Sequence, residues 1–474
     1  MATDSLPPSL LLLPAPPRPA THRLIDAAYR APLTAVLTRL SREHARQSGP
    51  GPTPVLVVAV GGSSILATGS SSEKPEPEPE TETETETETS ARARCKSSSV
   101  RWKPAQSLLA SLYAIIASIC AERDIAAHLG SHEPGTVDAR VVLVHRNAHA
   151  TPSAPSVQPG SSCRYGAHHA ASNSTAVLDL ATFAARVRPW KVVFHPSSDA
   201  GRELLAAYLA HAEGGQQLPQ SQICEVDSGT TFSSPRLPDV GGVAAQETRG
   251  LQHEQGQGRD SVGGYSTVCL GGTFDHLHPG HKLLLEAAVL LLAVPDGGAE
   301  PCTLIIGISG DELLTKKEYA SELQPWEARA GSVIAFLSTA LGSGPTTTAA
   351  RVTRVPAASH GGPSAAPEIR ARLRDRAVLV RCVDIGDPFG PTVTEERIGA
   401  IVVSGETRGG AEAINEKRAA RGWAPLDVYE IDVLDDATGD GQARLTEKIS
   451  STEIRRRKAL GPRCQDGERG QGAR

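Results

Sequence analysis

The stretch Leu270-Gly271-Gly272-Thr273-Phe274-Asp275-His276-Leu277-His278-Pro279-Gly280-His281-Lys282 holds the residues best suited to chemistry. An apolar run ends in two glycines, and His278 and His281 follow, three residues apart, where a leucine-rich helical pattern begins. Glycines let the backbone approach a bulky polyanion, and a helix start offers phosphate unpaired N–H groups and the positive end of a dipole. His278 and His281 then donate hydrogen bonds to phosphate oxygens. A zinc site is the weaker reading, because no third ligand stands at metal-site spacing.

A second stretch, Lys448-Ile449-Ser450-Ser451-Thr452-Glu453-Ile454-Arg455-Arg456-Arg457, begins another helix. Ser450 with Glu453 matches a capping box, which turns free N–H groups, two hydroxyls and Arg455 toward one site. A capping box alone is usually structural. Standing one domain-length after the histidine pair, this one reads as a second phosphate-binding helix start.

The elements that must position both motifs alternate cleanly from Tyr265 to Leu460. Strands are expected at Thr267–Leu270, Thr303–Ile308, Ala377–Val383, Ala400–Val403 and Leu426–Ile431, with helices at His281–Val294, Trp326–Leu341 and Ala411–Arg421. That rhythm predicts a Rossmann-like parallel sheet with ligands at the carboxyl ends of its strands. The amino-terminal part shows strand-like runs at Val55–Val60, Val141–Val144 and Val192–Phe194, with helical spacing at Leu108–Ile119 and Gly201–His211. It reads as a second α/β domain without a catalytic constellation. His195-Pro196 and Ser197-Ser198 read either as a strand end near a ligand or, the favoured reading, as a loop that simply turns.

Low-complexity stretches set the expected boundaries. A Pro-Glu/Thr-Glu insertion near 70–98 interrupts an amino-terminal domain over 1–227, a linker covers 228–264, an expanded loop lies near 342–367 within the domain 265–460, and 461–474 is a tail. The composition agrees with so much filler: 39% hydrophobic, 4% aromatic, with 45 glycines and 35 prolines in 474 residues. A net charge of -5 removes the electrostatic case for nucleic acid. No run as apolar as a membrane span is evident, Leu10–Leu13 and Leu283–Val294 being short, and the expectation is a soluble protein with no membrane partner. Eight dispersed cysteines with no CxxC fit a reducing, cytoplasmic compartment, with arginines from Arg18 to Arg42 leaving a mitochondrial presequence open.

Taken together, Gly-Gly-Thr-Phe-Asp…His-x-Gly-His and Ile-Ser-Ser-Thr-x-Ile-Arg resemble the motifs of the nucleotidyltransferases that transfer AMP or CMP from a nucleoside triphosphate. More narrowly, Tyr265–Leu460, roughly 40% of the chain, resembles the eukaryotic phosphopantetheine adenylyltransferases and the corresponding domain of bifunctional coenzyme A synthase. Gly307–Lys317 followed by Leu323–Arg329 is similar to the family's lysine loop and helix, and Asp387-Pro388-Phe389-Gly390-Pro391 to its Asp-Pro-x-Gly-Pro segment. Val403–Gly410 with Ile414-Asn415 is similar to its adenosine-binding strand end and helix. One departure stands out: bacterial members carry an arginine where this chain has Ser404-Gly405-Glu406.

The resemblance implies transfer of AMP from ATP to 4′-phosphopantetheine, giving dephospho-coenzyme A and pyrophosphate, by in-line attack without a covalent intermediate. It implies His281 as transition-state stabiliser, His278 as a triphosphate contact, Gly272 against ATP, and Thr273 with the main chain of Phe274 against both substrates. Lys316 or Lys317 would hold the acceptor phosphate. Ser450, Ser451, Thr452 and Arg455 would bind the triphosphate, and Glu406, Arg408 and Gly409 would lie by the ATP ribose and base. Mg2+ would arrive with ATP, held by phosphates and water. No Gly-x4-Gly-Lys-Ser/Thr loop occurs, so no dephospho-coenzyme A kinase is expected. Other coenzyme A enzymes are candidate partners of the amino-terminal part. The competing readings are an adenylyltransferase of the nicotinamide mononucleotide type and a non-catalytic nucleotide-binding scaffold.

Overall fold

The computed structural model describes residues 6–47, 51–62, 65–67, 99–129, 133–146, 174–186, 189–212, 218–229, 264–295, 299–342, 351–355, 367–432, 434 and 450–460. The insertion near 70–98, most of the linker and the tail lie outside the described residues.

The amino-terminal half runs β1 (Ser9–Leu13), α1 (His22–Ala45), β2 (Val55–Gly62), β3 (Leu66–Ala67), β4 (Ser99–Val100), α2 (Trp102–Arg123), β5 (Asp138–His145), β6 (Leu178–Asp179), α3 (Leu180–Arg186), β7 (Val193–Pro196), α4 (Asp199–Ala212) and β8 (Ile223–Val226). Six strands form one sheet in the order β6-β5-β2-β1-β7-β8, every pairing parallel. The run Leu10–Leu13 supplies a central strand because a parallel sheet buries both faces. Leu11 and Leu13 face the cluster built with α1 and α2, whereas Leu10 and Leu12 face α3 and α4. The arginine-bearing segment weighed as a presequence forms α1, which buries Tyr29, Leu33, Val36, Leu37 and Leu40.

Helix α2 corrects the expectation about apolar length. Its 22 residues are long and apolar enough to cross a membrane, yet 83% of that apolar window is buried inside the protein. It is the central core helix, packed on α1, α5 and β5.

The carboxy-terminal half runs β9 (Thr267–Gly272), α5 (Pro279–Val289), β10 (Cys302–Ser309), α6 (Trp326–Ala340), β11 (Arg351–Val355), β12 (Glu368–Leu373), β13 (Val378–Ile385), β14 (Ala400–Val403), α7 (Arg408–Ala419), β15 (Asp427–Glu430) and α8 (Ser451–Leu460). Its sheet has the order β11-β12-β13-β10-β9-β14-β15, parallel from β13 to β15 with an antiparallel β11-β12 edge. Part of the segment read as an expanded loop is therefore strand. Alternation was there to be read in β12, where Ile369, Ala371 and Leu373 are buried, but arginines at the intervening positions gave it a polar look. The chain leaves β9 for β10 on one side and later reaches β14 on the other. The carboxyl end of β9 is thus a topological switch point, where α/β sheets open a crevice.

One continuous apolar cluster joins the two halves, including residues of α2, α5 and both sheets. Polar residues cross the same boundary. Lys282, buried in the first turn of α5, donates to Asp138 Oδ1 at 2.7 Å and to the Ala139 carbonyl at 2.9 Å. Arg140 Nη2 donates to Asp138 Oδ2 at 2.7 Å, while its Nη1 reaches Thr339 Oγ1 of α6 at 2.6 Å. Burial alone would raise the Asp138 carboxyl; Arg140 and Lys282 outweigh it and hold it well below the ordinary carboxylate range. Farther along α5, Tyr113 donates to Glu286 at 2.9 Å, and Trp102 Nε1 donates to the Ala287 carbonyl at 2.9 Å.

Removing the negative member of this triad leaves two buried cations facing each other, so Asp138→Asn is expected to cost about 3–5 kcal/mol in urea unfolding. A loss below about 1 kcal/mol would show that the bridge does not tie the halves together.

Candidate active site

The loop leaving β9 is fixed from beneath by a buried arginine. Arg329 of α6, fully buried, donates to the Thr273 carbonyl at 2.7 Å, to Asp311 Oδ1 at 2.6 Å and to the Gln324 carbonyl at 3.0 Å. Above it Phe274 and His276 take left-handed backbone angles, φ 52° and 45°, which cost non-glycine residues energy and persist only where packing imposes them. A Cβ at Gly272 would come within 3.1 Å of the Phe274 ring, so the strand end stays bare.

Asp275 links the two sequence motifs. Fully buried, it accepts from Arg455 Nη1 at 2.7 Å and from the Gln324 amide at 3.0 Å, and its carbonyl accepts from Ser451 Oγ at 2.9 Å. Arg455 also donates to the Glu318 carbonyl at 3.0 Å and to Thr452 Oγ1 at 3.2 Å. The structure therefore places Arg455 inward, as a clamp on α8, and not among side chains open to a ligand. Ser450 Oγ accepts from the Glu453 amide at 3.2 Å, as the capping pattern predicts, while the Glu453 carboxylate turns to Arg456 and Arg457.

His278 is the residue capping α5, with Pro279 at its first position, and His281 sits one turn in. Their rings stack with centroids 3.9 Å apart and planes at 25°, and Phe274 lies 5.3 Å from His281. Nδ1 of each ring is buried without a hydrogen-bond partner among the described residues. Burial pushes His281 down to about 4, with Asp275 partly opposing it, and burial followed by its partner His281 pushes His278 well down. Both imidazoles are therefore neutral near pH 7. Orphaned buried polar atoms call for a physical explanation, such as bound water, an ion or a ligand.

The other expected residues are spread around this centre. Lys316 and Lys317 are exposed on the turn after Leu314. Glu406, Arg408 and Gly409 stand at the carboxyl end of β14, where Ser404 and Thr407 form a reciprocal cap. Arg408 pairs with Glu430 at 3.2 Å, an exposed bridge worth little energy, and a Cβ at Gly409 would meet open space. Asp387 Oδ1 accepts from the Phe389 and Gly390 amides at 2.7 and 2.9 Å, which makes the Asp-Pro-Phe-Gly segment a tight turn. Asn415 is occupied by both backbone groups of Leu426 and steers the chain into β15. No group of three or more His, Cys, Asp or Glu able to hold a metal occurs among the described residues.

Sequence reasoning missed a contribution from the amino-terminal half. His128 packs edge-on against His276 at 5.5 Å, and the Leu129 amide donates to the Leu277 carbonyl at 3.0 Å. Nothing local to residues 125–129 signals this role, since it exists only through a contact made across the fold.

Residues 1–232 match a family model described as a domain of unknown function (DUF8446). Over 213 residues the chain is 31% identical to a phosphopantetheine adenylyltransferase of Saccharomyces cerevisiae, covering 44% of this chain and 55% of that relative. It thus spans about half the length of the yeast protein. It is 30% identical over 192 residues to a phosphopantetheine adenylyltransferase of Methanothermobacter thermautotrophicus, covering 40% of this chain and 84% of the relative. With one of Pyrobaculum aerophilum it is 31% identical over 193 residues, covering 40% and 91%.

The neutral imidazoles predict a pH dependence of stability. His278 and His281, with His128, which burial lowers to about 3, stay unprotonated in the fold between about pH 4 and the ordinary 6.5, where the unfolded chain protonates all three. Glu286 works the other way, because burial raises its carboxyl and it keeps a proton that the unfolded chain loses. With His276, which burial also lowers, the unfolded chain binds more protons than the fold in this window, so stability rises with pH, by about 1.4 kcal/mol per unit for each proton of difference. Urea midpoints measured near pH 5 and pH 6 check the sign; a flat or falling profile contradicts buried, neutral histidines.

Proposed function

This chain belongs to the phosphopantetheine adenylyltransferase family, and from that premise we propose that it transfers AMP from ATP to 4′-phosphopantetheine, giving dephospho-coenzyme A and pyrophosphate. The observation that carries this reading is the pair of stacked neutral imidazoles, His278 and His281, each with an unpartnered buried nitrogen at the start of α5 beside the bare carboxyl end of β9. A neutral imidazole carries one N–H, which it donates to a phosphate oxygen, with no salt-bridge partner to be displaced first.

In this reading a terminal phosphate oxygen of the acceptor attacks the α-phosphorus of ATP. The new P–O bond forms as the bond to the leaving pyrophosphate breaks, and the electron pair departs with pyrophosphate. The acceptor supplies the nucleophile, so the protein's part is placement and stabilisation of developing charge. His281 donates to the reacting phosphate and His278 to the phosphates beyond it. Gly272 and Thr273 let substrate approach the end of β9. Ser450, Ser451, Thr452 and Arg455 serve by fixing the start of α8, whose free N–H groups face the triphosphate. Lys316 and Lys317 are the exposed cations that meet the acceptor phosphate, and Glu406, Arg408 and Gly409 border the nucleoside at the end of β14. Mg2+ supplies charge neutralisation on the triphosphate. The donor set fits an ion held by phosphate oxygens and water, since these side chains are imidazoles, hydroxyls and cations.

Pyrophosphate release by the full chain is expected with ATP plus 4′-phosphopantetheine and not with ATP plus nicotinamide mononucleotide; turnover only with the latter overturns the acceptor assignment. His281→Ala is expected to lower kcat about 10²-fold or more with ATP binding little changed, as for a group that acts mainly in the transition state. Unchanged turnover removes His281 from the mechanism.

A further inference from the structure

The segment that carries both histidines is held at its two ends by the amino-terminal half. Before His278, the Leu277 carbonyl accepts from the Leu129 amide at 3.0 Å, and the His276 ring packs edge-on against His128 at 5.5 Å. After His281, the buried Lys282 ammonium donates to Asp138 Oδ1 at 2.7 Å and to the Ala139 carbonyl at 2.9 Å. We propose that the function of the amino-terminal half is to brace the transfer site: Asp138 and Arg140 of β5 are positioning residues that fix α5, with His278 and His281, against α6. The proposal rests on the function proposed above and adds to it the residues that hold its machinery in register.

Three observations point to a brace. First, two elements of the site converge on one carboxylate outside it. Lys282 reaches Asp138 from α5, while Arg140 donates through Nη2 to Asp138 Oδ2 at 2.7 Å and through Nη1 to the Ala335 carbonyl at 2.7 Å and Thr339 Oγ1 at 2.6 Å, both on α6. Helix α6 also carries Arg329, which holds the Thr273 carbonyl at 2.7 Å. The histidine side and the Thr273 side of the site thus share Asp138 as a common reference. Second, the polarity is costly. An apolar trio of similar volume often matches or exceeds a buried ion cluster in stability, so what the charges add is direction, each bond tying one donor to one acceptor. Third, the amino-terminal sheet engages its own strand end where a doubly wound sheet ordinarily binds a ligand. After β7, Ser197 Oγ lies 2.7 Å from Ser228 Oγ, Ser198 Oγ accepts from the Gly201 amide at 3.2 Å, and His195 Nδ1 lies 3.1 Å from the Pro196 carbonyl. In-line transfer needs the imidazoles within hydrogen-bond reach of phosphate oxygens, and a misplacement of about 1 Å costs about 10²-fold in rate.

The test uses the full chain with Asp138→Leu, Arg140→Met and Lys282→Met combined, so that the three charges give way together to apolar side chains and none is left buried and unpaired. The expected result is a folded protein whose kcat is at least about tenfold below the wild type while KM for ATP stays within about twofold. Hydrogen exchange over residues 277–285 should be at least about tenfold faster, with exchange over α7, on the opposite face of the sheet, unchanged. Wild-type kcat in the folded variant, or unchanged exchange over 277–285, overturns the proposal. Where the triple variant does not fold, Arg140→Met, which keeps the Asp138–Lys282 bond and severs the link to α6, is read by the same two measures with the same outcomes. Exchange is read without turnover, so a wild type that transfers no AMP overturns the proposed reaction, and slow exchange over 277–285 that becomes fast in the variant still upholds the brace.

Discussion

A single buried carboxylate holds the site together. Asp275 sits between a strand end and two helix starts, with Arg455 of α8 on one oxygen and the backbone before α6 on the other. Two helix starts directed at one spot repel each other as two positive dipole ends, and each also carries unpaired donors. A fixed negative charge beneath them offsets that repulsion, while the donors above remain open to a second, exchangeable anion. Arg455 gains a partner in the same act, so a residue that looks in sequence like a phosphate ligand serves to dock α8.

The same economy of buried charge joins the halves. Lys282 and Glu286 stand four residues apart on α5, the spacing of an exposed helical ion pair, yet neither pairs with the other. Lys282 is drawn into the Asp138–Arg140 cluster and Glu286, kept protonated by burial, accepts from Tyr113. The helix that carries both histidines thus has its polar groups satisfied by the amino-terminal sheet and helix α2. Its exact seating, and with it the separation of the two rings, depends on residues more than a hundred positions away in sequence. This gives the amino-terminal half a physical role even where it supplies no reacting group.

How much of this was legible in the sequence follows from the range of each interaction. The parallel strands β9, β10, β13 and β14, and helices α5 and α6, were readable because burial on two faces writes continuous apolar runs and helical spacing writes its own period. The motif residues His278 and His281 were readable because glycines, a strand end and a helix start coincide within a dozen positions. Strand β1 reads in sequence as an apolar run and not as the sheet's centre, and β11 and β12 are hidden by arginines, of which Arg370 pairs with Glu368 and Arg354 and Arg372 are exposed. The inward turn of Arg455, the anchoring of Arg329 and the approach of His128 were not legible at all. Each depends on which partner the fold delivers, and one sequence cannot state a partner.

In the proposed reaction two neutral histidines, each with an unpartnered Nδ1 in the free protein, meet phosphate oxygens above the Asp275 anchor. Two-bond 1H–15N spectra of the imidazole nitrogens, taken near pH 6.5 with and without ATP, test it most directly. The predicted result is neutral rings for His278 and His281 in the free protein, with the Nδ1 resonances of both moving on addition of ATP and of pyrophosphate. Imidazolium signals in the free protein, or resonances that ignore saturating ATP, would contradict the account.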